Sequence, residues 1–115
     1  MKKYQIRFFF EYGGGCLWGV DERTKEKFGY YINPEDLPLS KETIDLINEL
    51  EIKYQTSLDW EYPPNPSPWS KQEIILFKTN LETLIMKIKN ELIEEFEVHN
   101  ELNFEGIFGE DINFT

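Results

Sequence analysis

SKQEIILFKTNLETLIMKIKNELIEEFEVHNELNF, residues 70–104, changes its hydrophobic period partway along, and that change decides the fold. In its first part Ile74, Phe77, Leu81, Leu84, Ile85, Ile88 and Leu92 recur every three to four residues, the stripe of a helix with one buried face. Ser70 and Glu73 supply an S-x-x-E capping box. The spacing predicts a helix over 71–94. Lys78 with Glu82 and Lys87 with Glu91 add four-residue charge pairs, worth only tenths of a kcal/mol each. A longer helix would carry Glu95 into the apolar stripe, and a buried unpaired carboxylate is costly, so the helix stops near 93–95. From Phe96 the period is two. Phe96, Val98, Asn100, Leu102 and Phe104 share one face, and Glu97, His99, Glu101 and Asn103 share the other, which predicts a strand over 96–104.

The same rules read the chain upstream. Residues 3–12 alternate as a strand, with Tyr4, Ile6, Phe8 and Phe10 on one face and Gln5, Arg7, Phe9 and Glu11 on the other. Gly13, Gly14 and Gly15 make a turn, and residues 16–20 return as a short second strand. Asp21 caps a short helix that ends near Phe28, with Gly29 as its stop. Residues 30–39 are a loop holding Pro34 and Pro38. Ser40 caps a helix over 41–57, with a stripe of Ile44, Ile47, Leu50, Tyr54 and Leu58. Residues 58–69, LDWEYPPNPSPW, cannot be helix or central strand, because Pro63, Pro64, Pro66 and Pro68 favour extended polyproline-like backbone.

These pieces give an α+β domain in two layers, with elements in the order ββααβ plus a minor early helix. A β-hairpin and a C-terminal strand form a three-stranded sheet of order 2-1-3, the third strand parallel to the first. Two long helices cover one face. The other face is open and carries Arg7, Phe9, Glu11, Glu97, His99 and Glu101. Residues 1–115 read as a single domain, with 105–115 a docked or loose tail. At 115 residues, 40% of them hydrophobic, the chain can build a core and is too apolar for disorder.

Charge is the strongest functional signal. Residues 1–39 hold six bases and six acids, whereas the remainder holds six bases and sixteen acids. The net charge is -10, and no Lys or Arg follows Lys89. Such an acidic end repels nucleic acid and anionic membrane and attracts a basic partner. The single cysteine, Cys16, forms no internal disulfide, and the apolar N-terminal run is interrupted by Gln5 and Arg7, so the expectation is a soluble, cytoplasmic protein without a membrane span.

Three strings, IRFFFEYGGGCLWG, LPLSKETI and YQTSLDWEYPPNPSPWSKQE, together resemble a group of small, acidic, uncharacterised bacterial proteins. That group shares an FF-x-x-Y-G-x-G-C-L-W start, an LPLS-x-x-T helix opening and a Y-x-x-SL-x-W-x-YPP-x-PSPW loop. The resemblance spans roughly residues 4–100. It implies a bacterial family domain and lends no catalytic residues. The general profile is also similar to that of immunity proteins, which neutralise toxins made by the same cell.

The candidate sites follow. The acidic end reads as a docking surface or as a solvated face that keeps the chain soluble. Trp60, Tyr62 and Trp69 around the prolines read as interface anchors, as a PxxP ligand through Pro63 and Pro66, or as a rigid strap closing the helix pair. The glycine run lacks the lysine of a P-loop and reads as a hairpin turn. Cys16 and His99 lack a third orienting group, so Cys16 reads as a small buried residue and His99 as part of a polar face. Neither Asp59 with Glu61 nor Glu94 with Glu95 sits at a metal-binding or catalytic spacing. No enzyme activity, cofactor or metal is expected. The leading expectation is a protein-binding module, an immunity-type inhibitor that neutralises a basic toxin or enzyme by electrostatic and steric occlusion. Its expected partner-binding residues are Phe9, Glu11, Asp59, Trp60, Glu61, Tyr62, Glu91, Glu94, Glu97, His99 and Glu101. The alternatives are a small enzyme or small-molecule binder with a pocket lined by Trp18, Trp60 or Trp69, and a homo-oligomeric structural protein. Self-association beyond a weak dimer is opposed by Glu97 and Glu101.

Overall fold

The computed structural model describes residues 2–102, so the expected tail and the end of the expected third strand lie outside the described residues. The elements are β1 (Tyr4–Phe8), β2 (Leu17–Gly19), α1 (Glu22–Phe28), a 3-10 turn (Pro34–Asp36), α2 (Lys41–Gln55), α3 (Lys71–Glu91) and β3 (Phe96–Asn100). The sheet order is β2-β1-β3. β1 pairs antiparallel with β2, Arg7 opposite Trp18, and parallel with β3, Arg7 opposite His99. The expected fold class and strand order are those observed.

The inner face is built as the periodicity requires. Ile6, Phe8 and Phe10 from the first strand, Leu17 from the second, Ile47, Leu50 and Tyr54 from α2, and Ile74, Phe77, Leu81, Leu84 and Ile88 from α3 are buried in one cluster. Burying a Leu, Ile or Phe side chain is worth about 1.5–3 kcal/mol, so this cluster is the main stabilising term. On α2 the inner position goes to Thr43, fully buried, rather than to Ile44, which is half-buried.

Three contacts set α2 and α3 antiparallel. Ser40, at the start of α2, meets Glu91 at the end of α3; Glu42 meets Lys87; and Lys53, near the end of α2, meets Glu73 at the start of α3. The capping box at Ser70 and Glu73 forms in both directions. Helix ends are shorter than expected, with hydrogen-bonding causes. α2 stops at Gln55 because the Thr56 and Ser57 hydroxyls donate to the carbonyls of Lys53 and Tyr54. α3 ends at Glu91, and a turn from the Phe96 amide to the Leu92 carbonyl keeps Glu95 out of the stripe and exposed. β3 ends at Asn100, whose side-chain oxygen accepts the amide of Leu102.

Two features depart from expectation. Residues 30–32 are not plain loop: the Gly19 amide donates to the Tyr30 carbonyl and the Ile32 amide to the Leu17 carbonyl, so this segment lies along the free edge of β2. Nor is the outer sheet face simply open. Trp18 lies on it beside Arg7 and is only 5% exposed, roofed by Phe9 stacked on its ring and by Tyr30 and Tyr31.

Candidate functional site

The β1–β3 pairing brings the acids of β3 beside cations from the N-terminus. Arg7 forms an ion pair with Glu101 at 2.8 Å and lies over the Phe9 ring at 4.9 Å. Gln5 links the rest of the face: its Nε2 donates to Glu97 at 3.2 Å, and its Oε1 accepts a hydrogen bond from His99 Nε2 at 2.7 Å. Phe9, Glu97, His99 and Glu101 therefore share one surface with Arg7 and Gln5.

A second cluster sits past the far end of β1, around the proline loop. Gln55 organises it. Its side chain accepts from the Gly13 amide and donates to the Glu11 carbonyl, which ties the hairpin turn to the end of α2. Its backbone carbonyl accepts from Trp60 Nε1 at 2.7 Å. Tyr12 then meets Trp60 edge-on and stacks on Tyr54. The Asp59 carboxylate accepts from the Glu61 and Tyr62 amides and from the Asn65 side chain, an arrangement that holds its pKa below the usual carboxylate value, with Asn65 the largest cause. Trp60 and Tyr62 stay 58% and 60% exposed, whereas Trp69, at 8%, is packed against Phe77 in the core. Trp18, Trp60 and Trp69 thus occupy three separate places.

The remaining candidates lie elsewhere. Glu94, with Glu95, is at the opposite end of β1, around a small hollow shared with Lys2, Lys3, Tyr4, Arg23 and Lys27. Glu91 is engaged inside the fold, accepting from the Ser40 amide at 2.6 Å, the Ser40 hydroxyl at 3.3 Å and the Thr43 hydroxyl. Desolvation alone would raise its pKa, but those donors and Lys87 together hold it below the ordinary value.

Sequence reasoning missed Gln55 and Tyr12, whose roles depend on contacts 42 or more residues away. It also missed Glu51. Glu51 stands four residues after Ile47 and three before Tyr54, inside the apolar stripe of α2, and the logic that excluded Glu95 from a helix face would have found it. Burial pushes its carboxyl pKa up. Burial also pushes up the Cys16 thiol, and the neighbouring Glu51 charge raises it further. Among the described residues no group of three or more His, Cys, Asp or Glu is placed to hold a metal, and no helix is long and apolar enough to cross a membrane.

What this arrangement offers is surface: a polar sheet face with an aromatic centre, and an exposed aromatic tip held rigid by backbone hydrogen bonds. No curated protein matches the chain. Residues 4–101 match the family model described as Serratia CdiI immunity protein-like. The match takes in both clusters and every element of the fold, and the chain belongs to that family of Serratia CdiI immunity protein-like proteins.

Proposed function

We propose that this chain is an immunity protein that neutralises a basic toxin by binding it, with no catalysis of its own. The observation that carries the reading is the family match over residues 4–101. Several features of the geometry support a mechanism of occlusion. Trp60 and Tyr62 are large rings held out of the core on a loop already ordered by Asp59 and Gln55, so little entropy is lost when a partner covers them. Asp59 and Glu61 flank Trp60 in the chain, Glu11 sits on the hairpin that Gln55 ties to the end of α2, and no Lys or Arg occurs between Lys53 and Lys71. Glu97, His99 and Glu101 extend the surface across the sheet through Phe9. In this reading the rings form the dry centre, and the carboxylates steer and pair with Lys or Arg around the toxin's active site. Glu94 contributes at the margin, and Glu91 acts from within the scaffold.

The test is co-expression with the product of whatever reading frame lies directly upstream in the native host, followed by binding kinetics at 50 and 300 mM NaCl. The expected result is a stable complex, loss of toxin activity, and an association rate that falls at least tenfold over that salt range. Absence of a complex at low salt, or a complex in which the toxin stays active, overturns the reading.

A further inference from the structure

The hairpin-turn reading accounts for only one of the three consecutive glycines. Gly13 has φ +75 and needs to be glycine. Gly14 and Gly15 have no such φ. A Cβ on Gly14 would sit at ordinary contact distance, 3.4 Å from the Trp18 ring, whereas one on Gly15 would come 2.3 Å from the Tyr31 ring. Gly15 is therefore the spacer that lets the Tyr31 ring close on the turn.

The turn borders an open recess of about 470 Å³, lined by Gly13, Gly14, Gly15, Trp18, Tyr31 and Glu51. Such a volume lies in the range of small-ligand sites. Its one ionisable carboxyl is Glu51, and Glu51 Oε1 is closed off from solvent without a hydrogen-bond partner. Its carboxyl takes a weak hydrogen bond from the Cys16 thiol, and its charge acts on that thiol and on the Tyr31 hydroxyl, neither of which is a cation. Lys53, two residues away, is held by Glu73. A buried carboxylate whose donor is a weak thiol is costly, because no positive charge compensates it. A positively charged donor is the group such a site lacks, and the Tyr31 ring, 49% exposed, offers it an aromatic wall.

We propose that this recess is a pocket for one basic side chain, a guanidinium or ammonium group presented by the partner, with Glu51 as its counter-charge and Trp18 and Tyr31 as its walls. The proposal rests on the immunity reading for its partner. It is separate in chemistry, because it assigns one residue to one cation rather than a surface to a field. It also gives the glycine run a role beyond the turn.

The experiment has two arms. In the first, the ¹⁵N-labelled chain alone is titrated with ethylguanidinium chloride and with butylammonium chloride, against NaCl at equal ionic strength. Saturable shifts of the Trp18 indole and of the amides of residues 13–15 are expected with at least one cation, and the stronger of the two identifies arginine or lysine as the natural occupant. Glu51→Gln, verified as folded by its amide spectrum, is expected to bind that cation at least tenfold more weakly. No saturable shift at these groups, or unchanged binding in E51Q, overturns the proposal. In the second arm, E51Q is expected to raise the toxin Kd at least tenfold, mainly through faster dissociation. Equal Kd values for E51Q and wild type overturn the pocket while leaving the immunity reading intact. Wild type that takes the small cation but not the toxin overturns the immunity reading instead.

Discussion

Removing the Glu91 carboxylate should loosen the junction between the two long helices without touching any exposed group of the docking surface. Three donors converge on it: the Ser40 amide, the Ser40 hydroxyl and the hydroxyl of the fully buried Thr43. Hydrogen bonds to charged groups contribute about 1.5–3 kcal/mol each. The three are not additive, because Ser40 also caps α2 by itself, accepting the Thr43 amide. Glu91 is half-buried, so solvent screening discounts the charge further. Glu91→Ala should therefore cost about 2–3 kcal/mol and Glu91→Gln, which keeps one acceptor, about 1–2 kcal/mol. For a domain of this size the alanine loss lowers Tm by roughly 8–12 °C. Urea unfolding followed by tryptophan fluorescence measures it, and a cycle with Thr43→Val should show a coupling of about 1 kcal/mol. The pH dependence fixes the mechanism. The folded pKa of Glu91 is depressed, so its contribution is fully present above the unfolded value of about 4.5 and is lost as pH falls through the folded pKa. Lys87 is the other charge acting on it. The gap between wild type and E91Q should thus be constant near neutrality and close in acid. An alanine effect below about 0.5 kcal/mol, or a gap that does not close, would refute this account of the helix junction.

Three further outcomes follow from the same geometry. Gly15→Ala should destabilise by about 1–2 kcal/mol through its clash with Tyr31, yet be neutral or stabilising in a Tyr31→Ala background, where only the entropy gain of alanine is left; an unchanged penalty there would point to the backbone instead. Trp69→Ala should cost about 3–5 kcal/mol in urea unfolding, while Trp60→Ala should cost under about 1 kcal/mol but weaken toxin binding at least tenfold, and the reverse pattern would exchange their roles. Glu51 has a raised folded pKa, so the wild type loses stability as pH rises from about 4.5 through that pKa; Glu51→Gln should melt a few degrees above wild type at pH 7 and level with it below pH 4.5, with Cys16 and Tyr31 the titratable neighbours that stay neutral across the window.

The fold was legible because its signals are local. The period change at Phe96, the caps at Asp21, Ser40 and Ser70, and the alternation of residues 4–10 each act within a few residues, and each is realised. Sheet order followed from chain geometry, since a strand leaving the second long helix returns beside β1. Charge was less legible, because the acidic bias of the last 26 residues is a property of the chain and not of space. Parallel pairing of β1 with β3 lays Arg7 against Glu101 and brings Lys2 and Lys3 around Glu94 and Glu95. Glu91 illustrates the same limit. Nothing within ten residues of it predicts a bond to Ser40, 51 positions earlier. The three tryptophans show a limit of another kind. Each sits in an aromatic or proline-rich string, and only packing separates a core ring from an exposed one.

The placement of charge bears directly on how a partner would approach. Around Tyr4 four bases, Lys2, Lys3, Arg23 and Lys27, outnumber two acids, Glu94 and Glu95, so that end carries no negative field to draw a basic partner. Across the outer sheet Arg7 cancels Glu101 and leaves Glu97 as the uncompensated acid. At the proline loop Asp59 and Glu61 lie in a stretch with no Lys or Arg between Lys53 and Lys71, and the same loop displays Trp60 and Tyr62. Asp59 and Glu61 therefore share the proline loop with the exposed rings, and Gln55 joins Trp60 of that loop to Gly13, which lines the recess with Glu51. In the proposed reading, a partner steered by charge would arrive where apolar surface can be buried, and a basic side chain leading that approach would meet a carboxylate that lacks a cation. Steering, desolvation and a single ion pair in the recess would then act at one site in sequence. An acidic chain distributed evenly over its surface would gain the first of these without the other two.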